Sequence, residues 1–152
     1  MKLELKHLAA YLPYEIQILS KIESQIEQLK FEKCRLKSVN MLSKCITVIH
    51  DVGINKNEKY ITDKNLSDIK LILKPMSLLE KDIEILNILA KKLSEAKTSI
   101  YSFENSKIWI LEVIKDENAT ALPFFLTKIL LKNHFDVFEL IDKELAVDIN
   151  CL

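Results

Sequence analysis

The pattern of apolar and polar positions divides the chain into helical and extended segments. Apolar residues recur at helical spacing over Leu3–Leu12, and Pro13 ends the pattern, which predicts a short N-terminal helix. The segment Cys45–His50 is rich in β-branched residues and predicts a strand. Apolar and charged residues alternate over Asp68–Lys74, so we expect a second strand that ends at Pro75.

The segment Tyr14–Ile26 fits two different patterns. Every second position is apolar or small, as in a half-buried strand, yet the leucines and isoleucines also fit a heptad. Its Glu, Gln and Lys residues favour a helix, so composition alone favours a helix here. The helical choice would give a mostly α protein with a long N-terminal helix over residues 14–45.

Two amphipathic helices are predicted in the second half of the chain. Ser77 and Glu80 have the spacing of a capping box, and apolar residues repeat behind them, which predicts a helix over about 78–96. Pro123 suits a first helical turn and predicts a helix over about 123–143. Leu145, Val147 and Ile149 alternate with polar or small residues and predict a closing strand.

The segment between these helices has the composition of two strands. Ile100–Glu104 and Lys107–Lys115 flank Asn105–Ser106, which predicts a hairpin with a nearly continuous apolar second strand. The elements together predict a small α+β domain with antiparallel strands. At 152 residues the expected organisation is one domain over 1–152.

Composition excludes several kinds of catalytic site. The chain has a single glycine, Gly53, whereas phosphate-binding loops and the nucleophile elbow each need at least two. The 22 basic and 22 acidic residues give a net charge of zero, which argues against generic nucleic-acid binding. Lys and Arg are dense in the first quarter, so a small nucleic-acid-associated factor remains an alternative, although glutamates interleave with them.

The sequence favours an intracellular protein. Residues 1–15 carry charges between the apolar positions, unlike a signal peptide, and no apolar run is long enough to span a bilayer. Cys34, Cys45 and Cys151 are an odd, scattered set and are expected to be reduced, buried thiols.

No residue is assigned a catalytic, cofactor-binding or metal-binding role. Cys45 and His50 are five positions apart, which does not suit a zinc pair. His134, with Asp136 or Glu139, is the one candidate for a hidden enzymatic site, but its position predicts a packed histidine on the last helix. A further set of residues is expected to form a core stripe: Phe124, Phe125, Phe135 and Phe138.

Three segments resemble a group of short uncharacterised proteins encoded by phages and prophages. They are MKLELKHLAAYLPY at Met1–Tyr14, ILKPMSLLEKDI at Ile72–Ile83 and NHFDVFELIDKELAVDIN at Asn133–Asn150. The resembled proteins contain three corresponding segments in the same order: KHLAxYLPY, a sequence similar to ILRPLSDLTKEI, and a sequence similar to HFDVFGLIEKGLAIDIN.

This resemblance implies a phage or prophage protein in the bacterial cytoplasm, with an α+β fold and no known activity. It also implies a strand after the LPY segment, which decides the Tyr14–Ile26 ambiguity for a strand. The present chain has Glu15, Glu139 and Glu144 where the resembled proteins have glycine, and we expect the last two to stiffen the final helix. We expect a non-enzymatic module that binds another protein of the host or phage.

Overall fold

The computed structural model describes residues 3–22, 30–40, 45–51, 59–96, 102–116 and 119–152. The chain divides into two compact units. Unit 1 contains Met1–Leu73 and Leu140–Leu152, and unit 2 contains Lys74–Glu139. The single-domain organisation over 1–152 stays a prediction.

Unit 1 is built on a six-stranded sheet with a short helix, α1 (Leu5–Tyr11), before it. The strands are β1 (Gln17–Ile22), β2 (Lys30–Asn40), β3 (Cys45–Asp51), β4 (Lys59–Lys64), β5 (Ile69–Leu73) and β6 (Ala146–Asp148). Their order is β4-β3-β2-β1-β5-β6, and every neighbouring pair is antiparallel except the parallel pair β5 and β6. The α+β class, the short N-terminal helix and the closing strand are therefore confirmed.

The described part of the ambiguous segment Tyr14–Ile26 contains β1, so the helix that composition alone favours is wrong there. Ile18 and Ser20 are fully buried, while Gln17 between Ile16 and Ile18 is exposed. This period of two matches a strand with one covered face, and tertiary packing overrides the helical propensity of Glu, Gln and Lys. The long helix over residues 14–45 is also wrong, because β1 and β2 lie within it. Residues 23–29 and 41–44 are outside the described parts.

A buried histidine supports the first turn of α1. The backbone N–H of Glu4, the N-cap residue, donates a hydrogen bond to Nδ1 of His7 at 3.2 Å. His7 is buried, with 3% of its surface exposed. A 3-10 turn over Leu12–Tyr14 follows the helix and contains Pro13, and Glu15 then reverses the chain into β1.

The described part of unit 2 contains three α-helices, of which the first is α2 (Ile83–Glu95). This helix begins about five residues later than the helix predicted over 78–96. The prediction that Ser77 and Glu80 form its capping box is therefore wrong. Asp82 is the N-cap instead, and its side chain accepts a hydrogen bond from the Ile85 N–H at 3.3 Å. A 3-10 turn over Met76–Leu78 occupies the predicted start.

The second helix of unit 2, α3 (Phe103–Lys115), replaces the predicted hairpin, which is wrong for the described residues. Ser102 is its N-cap and accepts a hydrogen bond from the Asn105 N–H at 3.4 Å. A continuous apolar run has no period of its own, so the same residues suit a helix or a strand. Ile100 and Tyr101 are outside the described residues.

The third helix of unit 2, α4 (Phe124–Lys132), ends eleven residues before the predicted limit, so the helix over 123–143 is wrong in its second half. The Phe135 N–H donates to the Leu130 carbonyl at 3.0 Å, which closes the helix. His134 and Glu139 then have φ angles of 62° and 55°, which an α-helix does not contain. Gly53 lies outside the described residues.

Candidate functional site

The segment after α4 holds the residues that suggested a hidden enzymatic site. The Lys74 N–H donates to the His134 carbonyl at 2.8 Å, and the Asp136 N–H donates to the Lys74 carbonyl at 2.9 Å. His134 is half-buried and lies beyond the helix, so its predicted helical position is wrong. Asp136 is buried, with 4% of its surface exposed, and the Glu139 N–H donates to its carbonyl at 3.4 Å. These backbone bonds give the segment a structural role.

The cysteines have different environments. Cys34 is buried, and its thiol donates to the Ile18 carbonyl with an S–O distance of 3.7 Å. Cys151 is exposed, so its predicted burial is wrong. Cys45 and His50 belong to β3, but their side chains are outside the described residues. Within the described parts, no three His, Cys, Asp or Glu side chains form a group that could hold a metal ion.

An open cleft of about 420 Å³ lies beside the start of α2. Its lining residues are Lys74, Leu78, Lys81, Asp82, Ile83 and Glu84. The Lys74 ammonium is 3.5 Å from the Asp82 carboxylate and 5.2 Å from the centre of the Phe135 ring. Through these two contacts the Lys74 side chain joins the start of α2 to the segment after α4.

Helix α3 carries several apolar side chains that are only partly buried. Six of its seven residues from Ile108 to Ile114 are apolar, and consecutive positions place them all around the helix. Only Ile110 among them is fully buried, while Ile108 is 55% exposed. A helix that is apolar on every side is normally buried on every side. The face around Ile108 is therefore a surface that another molecule could cover.

Exposed apolar residues concentrate in unit 2. Of the eight large apolar side chains most exposed among the described residues, six belong to this unit: Ile83, Ile88, Phe103, Ile108, Phe124 and Phe125. Phe124 is 80% exposed and Phe125 40% exposed, so the predicted core stripe is wrong for both, whereas Phe135 is fully buried. Contiguous exposed apolar patches mark interaction sites more often than isolated residues do.

None of the helices in the described parts of the chain is long and apolar enough to cross a membrane. No family profile, no curated protein and no solved structure matches this chain.

Proposed function

We propose that this chain is a phage or prophage accessory protein that acts in the bacterial cytoplasm by binding another protein, without catalysing a reaction. The observation that carries the proposal is the uncovered apolar surface of α3. Burial of apolar side chains is the main favourable term in protein association, and a large exposed isoleucine in a helix face is suited to it. The expected partner presents an apolar helix or groove to the face around Ile108.

The charged residues of α3 add little net attraction or repulsion. The Lys107 ammonium is 3.4 Å from the Glu104 carboxylate, and the Lys115 ammonium is 3.3 Å from the Glu80 carboxylate. Lys107 also lies 4.4 Å from the centre of the Phe103 ring. Because these lysines are satisfied within the chain, the partner's contribution is expected to be apolar contact.

The phage assignment is supported by the backbone at three positions. Glu15, Glu139 and Glu144, which stand where the resembled proteins have glycine, have φ angles of 51°, 55° and 58°. Glycine adopts this left-handed conformation without the steric cost that other residues incur. The backbone therefore suits the glycines of the resembled sequences, although the present chain has none there.

The proposal is tested by affinity capture from the bacterial host followed by binding measurements with the purified partner. We expect the wild-type chain to recover one protein in stoichiometric amount and Ile108→Asp to lose it. Replacing a buried interface isoleucine by a charge should raise the Kd at least about tenfold. Calorimetry gives the stoichiometry and the Kd of both variants.

Leu152→Asp is the matched control. Leu152 is 50% exposed and belongs to unit 1, so the same kind of substitution should leave partner binding unchanged. Repeated recovery of the bare chain, or equal loss of the partner in Leu152→Asp, would contradict the proposal.

A further inference from the structure

The sheet of unit 1 separates basic from apolar residues across its two faces. On β1, β2 and β5 one set of alternate residues is buried: Ile18, Ser20, Cys34, Leu36, Ile69 and Leu71. Successive residues of a strand point to opposite sides of the sheet. The residues between them therefore lie on the opposite face, where most are exposed or half-buried.

Positive charges accumulate on this second face. Its basic residues, called the basic face below, are Lys21, Lys33, Arg35, Lys37 and Lys70. Lys33 is paired with Leu19 in the β1–β2 register, and Leu19 is paired with Lys70 in the β1–β5 register. Lys33 and Lys70 therefore flank Leu19 across three adjacent strands, with backbones about 10 Å apart. Lys37 is exposed beside the irregularity between Leu36 and Ser38.

On β1, β2 and β5 no acidic residue occupies the same face among the side chains that the structure describes; at the β3–β4 edge the register pairs Thr47 with Asp63 and Asp51 with Lys59. The other described residues there include the uncharged Gln17, Leu19, Ser38, Thr47, Ile49 and Ile72, of which Ile72 is buried, with 3% of its surface exposed. Within the described residues, no salt bridge joins Lys33, Lys37 or Lys70 to a carboxylate. Glu4, which interleaves with the early lysines in sequence, forms its ion pair with Lys6 at the start of α1. On β1, β2 and β5 the described charged residues of this face are thus all basic, although the whole chain is neutral.

We propose that the basic face binds the phosphate backbone of single-stranded nucleic acid. A row of positive side chains on a protein surface attracts a polyanion and releases its counterions. Readout of a duplex generally needs a helix or a two-stranded ribbon inside a groove, whereas proteins for single strands lay the backbone along a positively charged surface. The broad face of β2, β1 and β5 corresponds to the kind of surface along which a single-stranded backbone lies. We expect the binding to be independent of base sequence.

This surface is distinct from the proposed protein-binding face. The basic face belongs to unit 1, and the face around Ile108 belongs to unit 2. A variant at one face leaves the other face unchanged, so the two proposals can fail separately.

Fluorescence anisotropy with a labelled oligothymidylate and a labelled oligouridylate tests the proposal. If all five side chains contact phosphates, the slope of log K against log salt is about −3.5, and binding weakens about 100-fold between 50 and 200 mM salt. The triple variant Lys33→Gln, Lys37→Gln, Lys70→Gln should reduce the slope by about 2, so that the same change in salt weakens binding less than about tenfold. The corresponding triple substitution by arginine should preserve binding.

The matched control carries the same change in net charge elsewhere. Lys81→Gln, Lys128→Gln, Lys132→Gln removes three exposed lysines of unit 2 and should bind like the wild type. Circular dichroism melting curves establish that both glutamine variants are folded. Absence of binding at about 50 mM salt, equal loss of binding in the control, or tighter binding to a duplex or to anionic lipid vesicles than to the oligonucleotides would overturn the proposal.

Discussion

Four residues other than glycine adopt the left-handed backbone conformation within the described chain. They are Glu15, His134, Glu139 and Glu144, with φ angles between 51° and 62°. Each lies at a reversal: Glu15 before β1, His134 and Glu139 after α4, and Glu144 shortly before β6. The prediction that Glu139 and Glu144 stiffen the last helix is wrong, because that helix ends at Lys132 and both residues belong to turns.

Glu144→Gly should stabilise the protein. A left-handed residue with a Cβ atom costs about 1–2 kcal/mol, while glycine loses about 0.5–1 kcal/mol through the greater freedom of its unfolded chain. Since Glu144 is exposed, the net expected gain is about 0.5–1 kcal/mol in the free energy of unfolding. Urea unfolding followed by circular dichroism measures it.

Two substitutions serve as controls for this gain. Glu144→Ala removes the same carboxylate but keeps Cβ, so it should not stabilise the protein. Glu112→Gly, at an exposed position inside α3, should lower the free energy of unfolding by about 1 kcal/mol. A gain with alanine equal to that with glycine would show that the carboxylate, and not the backbone, is responsible.

The exposed ion pair at the start of the chain predicts a local pH effect. The Lys6 ammonium is 2.8 Å from the Glu4 carboxylate, and its hydrogen bond and charge hold the pKa of Glu4 below its ordinary value of 4.5. A carboxyl with a lowered pKa stabilises the fold above its unfolded pKa and loses that contribution as the pH falls. Both groups are well exposed, so the contribution is small.

The measurement is an NMR titration of the Glu4 side chain. Lys6→Gln should raise the pKa of Glu4 towards 4.5, because it removes the ammonium that causes the shift. Lys132→Gln, an exposed substitution in unit 2, should not move it. An unchanged pKa in Lys6→Gln would show that another group lowers it.

The start of α2 is decided by a cap that the sequence pattern did not favour. Ser77 and Glu80 have capping-box spacing, but Asp82 accepts the bond from the Ile85 N–H and lies 3.5 Å from the Lys74 ammonium. An Asp82 carboxylate also interacts favourably with the N-terminal end of the helix dipole. A single cap residue therefore moves the helix start by about one turn and leaves Ser77 exposed in a 3-10 turn.

Asp82→Ala should lower the free energy of unfolding by about 1 kcal/mol, since α2 loses its N-cap. Asp82→Asn keeps an acceptor oxygen and should cost less than the alanine change. Ser77→Ala should be close to neutral, within about 0.5 kcal/mol. Thermal unfolding by calorimetry distinguishes the two positions, and a larger loss at Ser77 than at Asp82 would contradict the observed cap.

Local sequence patterns also account for the wrong prediction of a hairpin where the structure has α3. The run from Ile108 to Ile114 is strong in strand-forming residues, and neighbouring Asn105–Ser106 suits a turn. In the structure Ser106 and Ile110, four residues apart, are fully buried, which is the spacing of a helix packed on α2. The exposed side of α3, and with it the candidate site, could not be predicted from a run that looked fully buried.

At the scale of the whole molecule, the β-branched composition of Cys45–His50 identified β3, and the alternation over Asp68–Lys74 identified β5. The α+β class followed from these strands and from the periodic helices. The sheet order did not follow, because β6 pairs with β5 although unit 2 lies between them in sequence. The charge segregation of the sheet was equally hidden, because it depends on which strands are neighbours and not on the order of charges along the chain.

The contribution of β6, the edge strand that pairs with β5, can be tested by a substitution at Ala146. Ala146 is registered with Leu71, and both are buried. Ala146→Asp would place a carboxylate without a partner against this apolar face, so the free energy of unfolding should fall by about 3 kcal/mol or more. Urea unfolding measures the loss, and hydrogen exchange should show reduced protection of β5 first, since β5 lies between β6 and β1. Leu152→Asp, at an exposed position, should change stability by less than about 0.5 kcal/mol. Equal protection of β5 in wild type and Ala146→Asp would mean that β6 contributes little to the sheet, and that β1–β5 form a unit stable without their parallel edge.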